Sequence, residues 1–204
     1  MPSFSEVFLA DTLEVLRQIG VEDIEQVVKI LAATRARTGR LFLAGSGGGA
    51  GHASHATCDF RKLCNIESYC VTDNVSELTA RTNDEGWETA YSNWLQASRI
   101  DSDDCLFVFS VGGGSLNPPV SVNLVNAILA AKAVGASVVG VVGRNGGSLR
   151  EMADASVLIP TVSASFVTPQ AEGLQALVWH LIVSHPSLAA NTAKWEGLDK
   201  VINK

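Results

Sequence analysis

The sequence predicts a three-layer α/β sandwich, a parallel five-stranded sheet with helices on both faces. Three observations lead there. Five segments, at 40–45, 67–72, 105–110, 137–142 and 156–159, read as strands, and the first and third contain the continuous apolar runs of strands buried on both faces. Helical patterns separate most of them at the spacing of βαβ units. Two of the runs end in a triple glycine followed by a helical pattern: Leu41-Phe-Leu-Ala-Gly-Ser-Gly-Gly-Gly49 and Leu106-Phe-Val-Phe-Ser-Val-Gly-Gly-Gly114. Glycine permits a sharp turn and close approach to a ligand, and a helix N-terminus offers free N–H groups to an anion. Two such turns suggest a protein that holds a phosphorylated small molecule.

The elements follow in chain order. Residues 4–38 read as two helices broken at Gly20, with leucines and valines at helical spacing. The first strand is expected at 40–45 and its helix at about 49–63. After the second strand, Asp73-Asn-Val-Ser-Glu77 reads as a loop with a capped helix start, and Asn83-Asp84-Glu-Gly86 as a loop able to hold a sugar hydroxyl or to be a plain turn. A helix is expected around 87–98. Pro118 and Pro119 suit the entry of a helix at about 118–134, closed by Gly135. A short helix at 146–153 and a long one at 169–184 complete the α/β core. We expect one domain over 1–204: a helical pair at 4–38, a core at 39–185 and a tail at 186–204 that is partly helical at best.

Composition narrows the function. The chain has 204 residues, 47% of them hydrophobic and 18% charged, enough for one folded domain. A net charge of −6 argues against a general nucleic-acid binder. No run reaches membrane-spanning length, and Met1-Pro-Ser-Phe-Ser-Glu6 has no signal-peptide pattern, so a cytoplasmic setting is expected. Cys58, Cys64, Cys70 and Cys105 form no C-x-x-C pair and read as buried small apolar side chains, with Cys58 beside the residues described next.

Those residues lie on the helix after the first glycine turn. It carries His52, His55 and Asp59, an unusual cargo for a nucleotide cradle. His55 and Asp59, four apart, share a face and can ligate a metal, form an acid/base pair, or simply hydrogen-bond at the surface. Glu172 and His180 form a second histidine–carboxylate pair, eight apart and about 80° off one face. His180 lies in the apolar stretch Leu177-Val-Trp-His-Leu-Ile-Val183, the usual setting of a satisfied core histidine. In the second turn, Ser110 and Ser115 can bond a phosphate whose other oxygens take backbone N–H groups, or can merely cap the turn.

The ordered set resembles the sugar isomerase (SIS) domain, and within it the phosphoheptose isomerase family, over about residues 5–185. The features are paired N-terminal helices, Gly45-Ser-Gly-Gly-Gly49 with His55-x-x-x-Asp59, Asp73-Asn74, Asn83-Asp84, Ser110-Val-Gly-Gly-Gly-Ser115, Gly143-Arg-Asn-Gly-Gly147 and His180 on the late helix. The resemblance implies a flavodoxin-like SIS fold whose N-terminal helices serve oligomerisation. It implies conversion of sedoheptulose 7-phosphate to D-glycero-D-manno-heptose 7-phosphate, the first step of nucleotide-activated heptose synthesis, through an ene-diol. One zinc ion per subunit would be held by His55, Asp59, Glu172 and His180, with Asp59 and His180 also the acid/base pair. Substrate and phosphate would be bound by Ser46, Gly47, Gly48, Gly49, Asn83, Asp84, Ser110, Val111, Gly112, Gly113 and Ser115. The assembly would be a homotetramer with sites at subunit interfaces and no nucleic-acid or membrane partner. The chain departs from the family in having Asp59 for glutamate, Glu172 for glutamine, and Val111 with three glycines for a hydroxyl-rich loop. These departures leave room for a different sugar phosphate, or for a non-catalytic sugar-phosphate sensor or partner of the replication initiator.

Overall fold

A computed structural model describes residues 1–193. Its centre is a sheet of five parallel strands, β1 (Leu41–Gly45), β2 (Ser68–Cys70), β3 (Cys105–Ser110), β6 (Ser137–Val142) and β7 (Ala155–Leu158), in the order β2-β1-β3-β6-β7. A two-stranded hairpin, β4 (Ser115–Leu116) with β5 (Pro119–Val120), stands beside it. Side chains alternate across the sheet. Leu41, Leu43, Phe107, Phe109, Val139 and Val141 enter one core, together with α2 (Val21–Ala36), α3 (Gly48–Cys64) and α8 (Val167–Ser184). Phe42, Ala44, Leu106, Val108 and Val138 enter the other, under α5 (Trp87–Ala97), α6 (Val122–Ala133) and α7 (Gly147–Met152). Both faces are therefore covered, as a parallel sheet requires.

Local signals explain the element ends. The first helix, α1 (Phe4–Gln18), starts in a capping box. Glu6 N donates to Ser3 Oγ at 3.3 Å, and Ser3 N donates to Glu6 Oε2 at 2.7 Å. At the N-terminal ends of β1 and β3, Asp104 is buried and takes a two-pronged bond from Arg40, Nε to Oδ1 at 3.1 Å and Nη2 to Oδ2 at 2.7 Å. The pair ties the two central strands together at the end opposite the glycine turns.

Three expectations need correction. Asn83-Asp84-Glu85 is not a loop but the last turn of α4 (Val75–Glu85). That helix buries no residue, so it lacks the apolar stripe by which a helix is read. Asn74 caps it by accepting from Ser76 N and Glu77 N, and Arg81 bridges Glu77 and Glu85 one turn either way. Pro118 and Pro119 do not open α6. They form the bend and return strand of the hairpin, because a residue before proline is driven out of the helical region. His180 is exposed rather than buried in the core, since α8 turns Val178, Trp179, Ile182 and Val183 inward and leaves His180 outside with Leu177 and Leu181. Of the expected tail, 194–204 lie outside the described residues.

Candidate functional site

The strand order reverses between β1 and β3, and the two glycine turns leave the sheet there, at its C-terminal edge. Open α/β sheets bind ligands at this switch point. A cleft of about 1000 Å³ lies there, lined among others by Ser46, Ser110, Ser115, Ser121, Arg144 and Thr168. The expected residues Val111 and Gly112 also line it.

Buried amides hold the cleft floor. Gln175, fully buried on α8, donates through Nε2 to Ser110 O at 2.9 Å and Val141 O at 3.2 Å, pinning the ends of β3 and β6. Asn123 on α6 donates to Ser46 Oγ at 3.2 Å, and Tyr91 Oη donates to Gly45 O at 2.8 Å beneath the first turn. Burial pushes the Tyr91 phenol above its ordinary range, so it stays a donor. Sequence reading missed all three, since nothing in a lone buried Gln, Asn or Tyr announces a strand end as its partner.

In the second turn, Ser110 Oγ accepts from Gly113 N at 2.9 Å, and Ser115 Oγ accepts from Asn117 N at 3.1 Å. The hydroxyls thus brace the loop while each keeps an O–H to donate. Gly113 has φ +77°, and a side chain there would strike the carbonyl of Gly146. The first turn is shaped differently. Gly47 adopts φ +59°, and a side chain on Gly48 would meet the Glu172 carboxyl carbon at 2.5 Å. A carboxylate of this chain therefore lies against the start of α3, where phosphate was expected to rest on Gly47–Gly49.

Beyond that point α3 and α8 run side by side in the same direction. Gly48 meets Glu172, His55 meets Trp179 and His180, and Cys64 Sγ reaches Val183 O at 3.5 Å. This register gathers His55, Asp59 and His180, whose ligand atoms all lie within 4.8 Å of one another. His55 Nε2 stands 3.9 Å from Asp59 Oδ2, too far for a hydrogen bond. His180 stacks on Trp179 at 3.5 Å between ring centroids, and its Nδ1 lies 2.7 Å from Ala176 O. That contact suits a proton on Nδ1 and leaves Nε2 as the lone-pair nitrogen. Two imidazoles and a carboxylate with one side open to solvent are a donor set that suits a divalent metal such as zinc.

Glu172 is not brought into this group. Eight residues advance about 12 Å along a helix, and about 80° of rotation turns the carboxylate off the His180 face. It sits instead near His52, whose Nε2 is buried without a partner. Burial lowers the His52 pKa, against a partial opposing effect of Glu172. Along α8 this pair lies between the cleft, reached by Thr168, and the His55–Asp59–His180 group. Asn83 and Asp84 are exposed, bonded to each other at 2.7 Å, and do not line the cleft.

Residues 7–143 match the SIS domain family model. A lincomycin biosynthesis protein of Streptomyces lincolnensis is 39% identical over 152 residues. The match covers 69% of this chain but only 54% of that protein, so the chain spans about half that relative's length. The phosphoheptose isomerase of Sulfurimonas denitrificans is 30% identical over 167 residues, covering 79% of this chain and 80% of that one. Among solved structures, the phosphoheptose isomerase of Neisseria gonorrhoeae superposes with a TM-score of 0.75 at 23% identity, over 88% of this chain and 94% of that one. That of Francisella tularensis gives 0.73 at 19% identity, over 90% and 97%. Both show the same fold. The chain belongs to the SIS domain family, and within it to the group that contains the phosphoheptose isomerases.

Proposed function

We propose that this isomerase interconverts sedoheptulose 7-phosphate and D-glycero-D-manno-heptose 7-phosphate, supplying nucleotide-activated heptose synthesis. The observation that carries the reading is the convergence of His55, Asp59 and His180 on the helix pair leading away from a switch-point cleft. The phosphate end occupies the cleft at Ser46 and the Ser110–Ser115 turn, and the carbon chain runs along α3 and α8. The reading also includes a cytoplasmic homotetramer, with sites completed at subunit interfaces, where Asn83 and Asp84 would act.

The chemistry asks for a proton to move between adjacent carbons. Asp59 takes the proton from C1 of the ketose and returns it to C2. Between the two steps the sugar is an ene-diol. His180 Nε2 exchanges protons with O1 and O2, accepting one as the aldehyde forms and delivering one to the new hydroxyl. Its Nδ1 contact with Ala176 O leaves Nε2 as the lone-pair nitrogen for that exchange. Zinc would polarise the carbonyl and favour negative charge on the two oxygens; His55 and Asp59 would hold it throughout, whereas His180 Nε2, with its single lone pair, would ligate it only in the resting enzyme and leave it for the proton exchange. Asp59 can serve in both roles because a carboxylate has two oxygens.

A second reading, isomerisation of another sugar phosphate, is favoured by the antibiotic-pathway relative at 39% identity. Purified protein of recorded metal content, incubated with sedoheptulose 7-phosphate and followed by NMR, separates the two. A new aldoheptose anomeric signal that falls about 10²–10⁴-fold in rate in Asp59→Asn supports the heptose reading. No signal with this sugar, but turnover of a pentose, hexose or octose phosphate, supports the second. His180→Gln should lose bound metal, activity, or both. Full activity with a full metal complement would remove His180 from the mechanism.

A further inference from the structure

We propose that Arg144 is the cation that binds the phosphoryl group in the switch-point cleft, an inference that rests on the sugar-phosphate reading above. Arg144 follows β6 in Gly143-Arg144-Asn145-Gly146-Gly147 and has φ +53°. This is the left-handed region, where glycine is the relaxed choice and a long side chain is uncommon. The conformation carries the side chain onto the second glycine turn. A Cβ built on Gly112 would lie 3.5 Å from Arg144 Cδ and 3.9 Å from Nε. These are ordinary contact distances, so the Arg144 side chain packs along Gly112 of the second turn and lines the cleft beside it.

The cleft needs such a charge. A phosphoryl group carries about −1.5 to −2 at pH 7, and the chain as a whole carries −6. The hydroxyls and amides that line the cleft are neutral, and its one acid, Glu151, opposes an anion. The start of α7 is already spent, because Ser148 N and Leu149 N donate to Gly114 O and Gly113 O, each at 3.0 Å. Arg144 is the one basic side chain lining the cleft, and it makes no ion pair or side-chain hydrogen bond among the described residues. By contrast Arg40, Arg81 and Arg150 are all engaged with carboxylates. A guanidinium can take two phosphate oxygens at once, a geometry that an ammonium lacks.

The test uses inorganic phosphate as the probe and calorimetry as the readout, on the wild-type protein, Arg144→Gly and Arg144→Lys. Glycine suits the local backbone, so Arg144→Gly should melt at or above the wild-type temperature. Its Kd for phosphate should nevertheless rise by about tenfold or more, with Arg144→Lys between the two because it keeps charge without the fork. An unchanged Kd in the folded Arg144→Gly protein overturns the proposal, as does a wild-type protein that binds no phosphate. Turnover of sedoheptulose 7-phosphate is measured separately. Phosphate binding through Arg144 without turnover keeps this inference and removes the heptose assignment. Turnover with the same KM in Arg144→Gly does the reverse.

Discussion

Thiol chemistry separates the four cysteines. Burial pushes the Cys64 and Cys70 thiols up to about 11 and that of Cys105 up to about 12, while Cys58 is exposed. A raised pKa keeps a thiol protonated and unreactive at pH 8, since the thiolate is the nucleophile. A thiol reagent should therefore modify one cysteine per folded chain and all four after denaturation. Two fast-reacting thiols in the folded protein would contradict the burial. At the same scale, Gln175→Leu strips two strand-end carbonyls of their donor and should cost about 1–3 kcal/mol in a denaturant melt, with a higher KM as the floor loosens. The candidate site was legible in part. His55 and Asp59 announce themselves by helical spacing, because four residues return to the same face. The destination of Glu172 was not legible, because it depends on how two helices far apart in sequence come to lie alongside each other.

Elements differ in what supports them. Helix α4 has no buried residue and depends on its cap and its Arg81 pairs. Asn74→Ala should weaken this helix by about 1 kcal/mol, seen as faster amide exchange over 75–85 with a nearly unchanged global midpoint. A shifted midpoint would mean that α4 is coupled to the core. The Arg40–Asp104 pair is the opposite case. Asp104→Ala leaves a guanidinium at the central strand ends without its carboxylate and should cost about 3 kcal/mol or more, while kcat of the remaining folded protein is unchanged. The same contrast explains which elements could be read from sequence. All five parallel strands could be: β1, β3 and β6 because nearly continuous burial leaves an apolar run, and the partly buried edge strands β2 and β7 from their β-forming residues. Of the polar helix α4 only the capped start at Asn74 could be read, and the short hairpin could not, since neither buries a periodic face.

For the whole molecule, α1 poses the main question. Val15 is the one residue it buries fully, while Phe4, Leu9 and Leu13 are 72%, 61% and 55% exposed. Phe4 and Phe8 lie edge-on to Phe166, which anchors the helix beside the start of α8 and leaves an apolar face outward. The proposed tetramer would cover that face. Leu9→Glu with Leu13→Glu should reduce the mass measured by light scattering to that of a smaller assembly. A tetramer that survives the double variant would place the interface elsewhere.

The loops of the second glycine turn and of 143–148 meet backbone to backbone, with Gly113 against Gly146 and Gly147 against the carbonyls of Gly112 and Gly114. Side chains are shut out of that seam, so amino-acid replacement has almost no vocabulary there. The apolar rim of the cleft can change away from that seam, on the hairpin and on α6 and α7, where Leu116, Val120, Leu129 and Met152 stand. A lineage adopting a longer or greasier sugar would inherit the anion seat intact and rewrite those four positions. Exchanging them between relatives is thus a way to move substrate preference while leaving the grip on phosphate in place.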